Sequence, residues 1–245
     1  MKILVLGATG ATGRLLVAQL LNRGHDAIAI VRSPDRLPAS VKDQTRISVI
    51  SANLLDLSDA EMTKIVAGCD AVASCLGHNL TIKGIFGPPH RLVTDATRRF
   101  CQAIQANNPT HPVKFVLMNT TGNRNRDLNE PASPAEKIVL GLLRRLLPPQ
   151  ADNEAAADYL RTQIGQDDPV IEWVAVRPDS LIDEDEVTEY TVHASPTTSP
   201  IFKPGKTSRI NVGHFMADLI TEDAVWSQWK GQMPVLYDQE PQRSA

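Results

Sequence analysis

Cysteine is scarce in this chain, three in 245 residues. Cys69, Cys75 and Cys101 form no CxxC pair and no metal-ligand spacing. That excludes a disulfide-stapled scaffold and a zinc site, and it fits a reduced, cytoplasmic compartment. An excess of positive charge is missing too: the net charge is -3, so no broad basic field calls for nucleic acid. The pairs Arg98-Arg99 and Arg144-Arg145 read as solvated helix faces. No apolar run reaches the ~18 residues of a membrane span, and a strand begins at residue 2, so neither a bilayer segment nor a signal peptide is expected. No linker, internal repeat or second domain is visible.

What is present is apolar material, 42% of the residues, enough for one substantial core. Strand-length apolar runs recur at Lys2–Leu6, Ala27–Val31, Arg46–Ile50, Ala71–Leu76, Val113–Asn119 and Trp173–Arg177. Helical patterns separate them: Leu15–Asn22 ending at Gly24, a helix capped by Ser58 with Glu61 three residues on, Arg91–Asn107, and Asp152–Gly165. Such alternation predicts an α/β class, a doubly wound parallel sheet in the order 3-2-1-4-5-6, a Rossmann fold spanning residues 1–245 as a single domain. The last third is less regular. A β-like stretch Glu189–His193 lies among Pro, Ser and Thr, a helix is expected at Asn211–Thr221, and a short strand at Pro234–Tyr237. Residues 178–205 form the expected substrate-side segment.

The first strand runs into Gly7-Ala8-Thr9-Gly10-Ala11-Thr12-Gly13, three glycines spaced by three, and a helix follows. Gly7 permits a sharp turn, Gly10 lets a pyrophosphate approach the backbone, and Gly13 lets helix and strand pack closely. Amides at the helix N-terminus then face the phosphates, with Thr9 and Thr12 adding hydroxyl donors. The second strand ends Val31-Arg32-Ser33-Pro34-Asp35-Arg36. No carboxylate stands at the tip to hold a ribose 2′-hydroxyl, whereas Arg32 and Arg36 suit a 2′-phosphate. NADP(H) is therefore expected over NAD(H), with Asp35 able to pair with an arginine when the site is empty. Asn53 and Leu54 after the third strand are placed at the adenine, and Leu76 and Gly77 after the fourth lie beside the cofactor. His78 reads as a solvated loop histidine or a catalytic one, and Cys75 as a packed strand residue.

The motifs GATGATGR, VRSPDRL, the CLG loop, and WVAVRPDSL followed by Tyr190-Thr191-Val192 resemble the atypical short-chain dehydrogenases. Within them the chain is most similar to the NmrA-like NAD(P)-binding group, and there to the biliverdin-IXβ reductase/flavin reductase family. Classical members of the superfamily use Tyr-x-x-x-Lys. Here Tyr159, Tyr190 and Tyr237 are followed four residues on by Gln163, Ala194 and Pro241, which disfavours the alcohol dehydrogenase and epimerase mechanisms. The resemblance implies that Thr120, Thr121 and Pro178 lie beside the nicotinamide, with Thr121 at a catalytic serine position. Asn153 and Ser180 stand where relatives carry basic residues or histidine, which puts bilin specificity in doubt.

Two functions stay open. One is an NADPH-dependent oxidoreductase passing hydride to a flavin, quinone or similar flat conjugated acceptor, chemistry that requires alignment of two planar rings more than a strong acid. The other is a non-catalytic NADP(H) sensor or scaffold with a regulatory protein partner. Residues 131–149 add an amphipathic helix with Ile138, Leu142 and Leu146 on one face: a lid, a homodimer face or a packed helix.

Overall fold

The structure, a computed structural model, describes residues 1–78 and 81–239, so Pro241 lies outside the described residues. Strands β1 (Lys2–Leu6), β2 (Asp26–Val31), β3 (Ile47–Ser51), β4 (Ala71–Ser74), β5 (Val113–Met118) and β6 (Ile171–Pro178) are parallel neighbours in the order β3-β2-β1-β4-β5-β6. The expected order holds, and the sheet continues beyond it. Strand β10 (Val235–Asp238) adds parallel to β6, and β8 (Tyr190–His193) closes the edge antiparallel to β10. A separate two-stranded ribbon pairs β7 (Ser180–Ile182) with β9 (Lys206–Ser208). The irregular C-terminal third thus supplies two strands to the main sheet and a ribbon over its carboxyl end.

Both faces of the sheet are covered, and the period of two decides which residue goes where. Ile3 and Val5 point into one core, with Leu16, Val17 and Leu20 of α1 (Gly13–Asn22) and Phe215 and Met216 of α8 (Arg209–Thr221). Leu4 and Leu6 point into the other, with Met62 of α3 (Asp59–Val66), Phe100 and Ile104 of α5 (Leu92–Asn107), and Ala156 of α7 (Pro148–Tyr159). Each fully buried Leu, Ile or Phe contributes about 1.5–3 kcal/mol, so both layers are needed to hold the sheet flat against solvent.

Local signals set the helix starts. Ser58 caps α3 by accepting from the Glu61 amide while Glu61 reaches back to the Ser58 amide, a complete capping box. The helix expected at Asp152–Gly165 starts earlier, at Pro148, and finishes in a π turn over Leu160–Ile164. Short helices α2 (Ala39–Lys42), α4 (Ile82–Phe86) and α9 (Asp223–Trp229) carry too few turns to show a periodic pattern.

The amphipathic helix exists as α6 (Pro134–Leu146), capped by Ser133. Its apolar stripe is not packed: Ile138, Leu142 and Leu146 are 65%, 52% and 65% exposed, and Leu140 is the buried residue instead. Among the described residues no helix is long and apolar enough to cross a membrane.

Candidate functional site

The carboxyl ends of the parallel strands are where this fold opens a crevice. A cleft of about 510 Å³ lies there, running from the β1–α1 turn across the tips of β2 and β3 to the end of β4. Gly7, Thr9 and Gly10 form one wall, Arg32 and Arg36 the far end, Asn53 and Leu54 the second wall, and Leu76 and Gly77 the floor near β4.

The glycine loop has the shape of a cradle. Gly7 sits at φ +78°, and a Cβ there would meet the Cys75 carbonyl oxygen at 2.7 Å. A Cβ on Gly13 would fall 2.2 Å from the Gly7 carbonyl oxygen, so helix α1 can pack this close to the turn only through glycine. The Gly10 amide donates to the Gly7 carbonyl at 2.9 Å, whereas the Ala11 and Thr12 amides donate to no described residue. Unpaired amides at a helix start are an anion site in waiting. Ala11, Thr12 and Gly13 do not line the cleft. Thr12 is buried and its side chain makes no cap bond, so its hydroxyl is not committed within the helix start.

At the far end Arg32 and Arg36 are exposed and form no ion pair among the described residues. Asp35 turns away from both and pairs with Lys42 at 3.6 Å. Its expected pairing with an arginine is therefore corrected, and both guanidiniums stay available. Asn53 is less free: its amide donates to Asp56 at 2.9 Å, and Asp56 itself faces the cleft.

His78 is neither solvated nor loose. Its side chain is 4% exposed, with Nε2 2.8 Å from Asp152 Oδ2 and Nδ1 3.3 Å from the Gly84 carbonyl. Asp152 also accepts the Val93 and Thr94 amides, capping α5 from a different helix. One carboxylate thereby joins the loop after β4 to α5 and α7. Cys75 is fully buried and its thiol is pushed up to about 12 by desolvation, which makes it inert as a nucleophile.

Beyond β5 and β6 lies the second half of the site. Thr120 is taken up in its own turn: its amide donates to Asn119 and its hydroxyl accepts from Gly122. Pro178, buried in β6, accepts the Thr121 amide at 3.2 Å. Thr121 is 2% exposed, and its hydroxyl lies near the Asp179 carboxyl. Burial raises the pKa of Asp179 above the usual carboxylate range, against the lowering effect of bonds from Gly205, Thr121 and Ser180. Sequence reading passed over Asp179. Its signal is a carboxylate in the turn directly after a buried strand, but its partner is 58 residues upstream.

Thr121 lines a cavity of about 350 Å³ whose opposite wall is Pro196, Thr197, Thr198, Ser199 and Pro200. The buried Thr198 Oγ1 finds no hydrogen-bond partner among the described residues. The substrate-side segment thus does face Thr121, through its 196–200 portion. Tyr190 of that segment, and Arg177 just before it, do other work. Tyr190 turns towards α8, bonding to His214 and Asp218 at 2.9 and 3.1 Å. Arg177 is buried completely and paired with Glu130.

The arginine pairs expected as solvated faces are partly engaged. Arg99 bonds to Asp59 and to the Leu55 and Leu57 carbonyls, and Arg144 pairs with Glu154 at 3.1 Å.

A family model described as NAD(P)H-binding matches residues 7–223. An uncharacterised protein of Mycobacterium tuberculosis is 38% identical over 76 residues; the match covers 31% of this chain and 8% of that protein, so the chain spans a small part of this curated relative. Three solved structures share the fold. The anaerobilin reductase ChuY of Escherichia coli O157:H7 is 15% identical at a TM-score of 0.68, covering 100% of both chains. A short-chain dehydrogenase/reductase of Veillonella parvula, solved in complex with NADP, is 16% identical at 0.68, covering 100% of this chain and 96% of that one. A Streptococcus pneumoniae protein whose proposed assignment is NADH-flavin reductase is 20% identical at 0.66, covering 98% and 100%.

Proposed function

We propose that this chain, which belongs to the NAD(P)H-binding family, is an NADPH-dependent reductase of a flavin, quinone or similar flat conjugated acceptor. The observation that carries the reading is the pair of openings at the carboxyl ends of the strands. One, of about 510 Å³, has the glycine cradle and two arginines; the other, of about 350 Å³, holds Thr121.

The cradle fits a dinucleotide. Gly7, Thr9 and Gly10 receive the pyrophosphate, with the spare amides of Ala11 and Thr12 adding positive potential behind them. Arg32 and Arg36 pair with a 2′-phosphate, which supports NADP(H) over NAD(H). When bound, NADPH supplies the hydride. Thr121 then orients a polar atom of the acceptor. The Thr121 hydroxyl, with the Asp179 carboxyl beside it, would position the acceptor where classical members use Tyr-x-x-x-Lys.

A second reading, a non-catalytic NADP(H) sensor, is favoured by one observation. His78, a titratable side chain beside the cofactor cleft, is locked to Asp152 and Gly84 and faces no substrate. The test is NADPH oxidation followed by nicotinamide absorbance, with FMN, riboflavin, menadione and biliverdin offered in turn and NADH as control. Acceptor-dependent oxidation supports the reductase. Tight NADPH binding with no oxidation against any acceptor supports the sensor.

A further inference from the structure

A second cavity of about 440 Å³ opens immediately after Thr121, lined by Gly122 and by residues of the following loop and α6. Its charge is lopsided. Arg124, Arg126, Lys137 and Arg144 all line it, against a single carboxylate, Glu154. That carboxylate is already committed. It takes Arg144 at 3.1 Å, Arg126 at 3.6 Å and the Gln150 amide at 3.1 Å. Arg126 is further held by Asp158 at 2.7 Å. Among the described residues, Arg124 and Lys137 meet no carboxylate at all. The bond Arg124 makes is to the Glu130 carbonyl, which uses one of five donors in the guanidinium fork. Gathering cations round one cavity costs repulsion that an anionic ligand would relieve.

Arg124 also lines the 350 Å³ cavity that holds Thr121 and Thr198. The two openings therefore share one guanidinium. Their chemistry differs, because the smaller cavity carries the Glu136 carboxylate, which would repel an anion, and the larger carries the spare cations.

We propose that the acceptor bears a carboxylate or phosphate group, and that Arg124 and Lys137 receive this group in the 440 Å³ cavity while the reducible ring lies beside Thr121 and Thr198. The proposal rests on the reductase reading for the ring's position, and the charge of the cavity stands apart from it. Arg124 offers a forked contact that fixes orientation, and Lys137 adds a point charge from the exposed side of α6.

The experiment compares two matched pairs of acceptors, FMN against riboflavin and biliverdin against its dimethyl ester. Each pair keeps the ring and removes the anion. The wild-type protein with NADPH is expected to favour the charged member of a pair at least tenfold in kcat/KM, and added salt should erode the preference. Lys137→Gln, a change at an exposed side chain, and Arg124→Gln should each shrink that ratio about tenfold, through KM. No preference in either pair, or a preference that survives both substitutions, overturns the proposal. If no acceptor is oxidised, the reductase reading fails separately. Quenching of FMN and riboflavin fluorescence by the NADP-loaded protein then decides the anion site. Binding of FMN weakened by Lys137→Gln upholds it, and equal or absent binding of both flavins overturns it.

Discussion

Arg177 Nη2 lies 2.7 Å from Glu130 Oε1, with both side chains sealed from solvent. The remaining donors are satisfied as well: Nε by the Met233 carbonyl, Nη1 by the Asn123 carbonyl, and Nη2 again by Ala194. Glu130 Oε2 accepts the Asn125 amide. This pair ties the 123–130 loop and the bend just after β8, at Ala194, to the end of β6, so it positions the walls of both acceptor cavities. Removing one partner leaves a buried charge alone, at about 3–5 kcal/mol. Arg177→Met is expected to lower the melting temperature by about 10 °C, read by thermal denaturation. The double variant with Glu130→Gln should recover part of that loss. A single variant as stable as wild type would show that the pair is not maintained in solution.

Arg32 is exposed at the tip of β2 and carries no partner to be orphaned, so Arg32→Ala should leave the melting temperature within about 1 °C. Its effect is on cofactor choice. Loss of a charge-assisted contact to the 2′-phosphate, worth about 1.5–3 kcal/mol, should raise the Kd for NADPH about tenfold or more and leave that for NADH unchanged. Isothermal titration with both nucleotides checks this. Equal weakening of both would remove the 2′-phosphate from the reading.

Asp179 gives a pH signature with a defined sign. Its folded pKa is raised, so it contributes stability that is complete below the ordinary carboxylate value and lost as pH rises through the raised one. The rate is expected to change over the same interval, because the charge of this carboxyl acts on the Thr121 hydroxyl beside it. Asp179→Asn is expected to flatten both profiles in that interval and to lower kcat about tenfold or more. Thr121→Ser should retain most of the rate, and Thr121→Val should lose it. A wild-type rate profile that is flat across that interval would remove Asp179 from the acceptor site's chemistry.

Gly13→Ala places a methyl group 2.2 Å from the Gly7 carbonyl oxygen, and backbone cannot yield as a side-chain tip does. The variant should lose dinucleotide binding by fluorescence titration and unfold at lower temperature. Gly24→Ala is the control for backbone strain without crowding. It lies at φ +80° with nothing within 4 Å of the added methyl, so it should cost about 1 kcal/mol and leave binding intact. NADPH binding unchanged in Gly13→Ala would refute the cradle.

The chain order of strands and helices was legible because each signal is local. Alternation along Ile3–Leu6, the Ser58-to-Glu61 spacing and the strand–glycine–helix context each need no more than a few neighbours. The order β3-β2-β1-β4-β5-β6 then follows from right-handed crossovers and the covering of both faces. Strands β7 and β9 escaped notice since three residues show no period and their pairing joins Ser180 to Lys206. The stripe on α6 illustrates the limit of amphipathicity. Periodicity says that Ile138, Leu142 and Leu146 share a face, but not that any element packs there, and none does among the described residues.

The sequence by itself determined the class, the glycine cradle and the arginines at the β2 tip, since these depend on backbone allowance and residue type within one βαβ unit. Only the tertiary structure decided how the acceptor end is equipped. The nearness of Thr121 to Asp179, the joining of His78 to Asp152 across 74 positions, and the gathering of Arg124 with Lys137 all unite residues from separate elements. No local spacing encodes such meetings. They arise when parallel strands end side by side, and the physical reason is that burial energy brings the elements together irrespective of their distance along the chain.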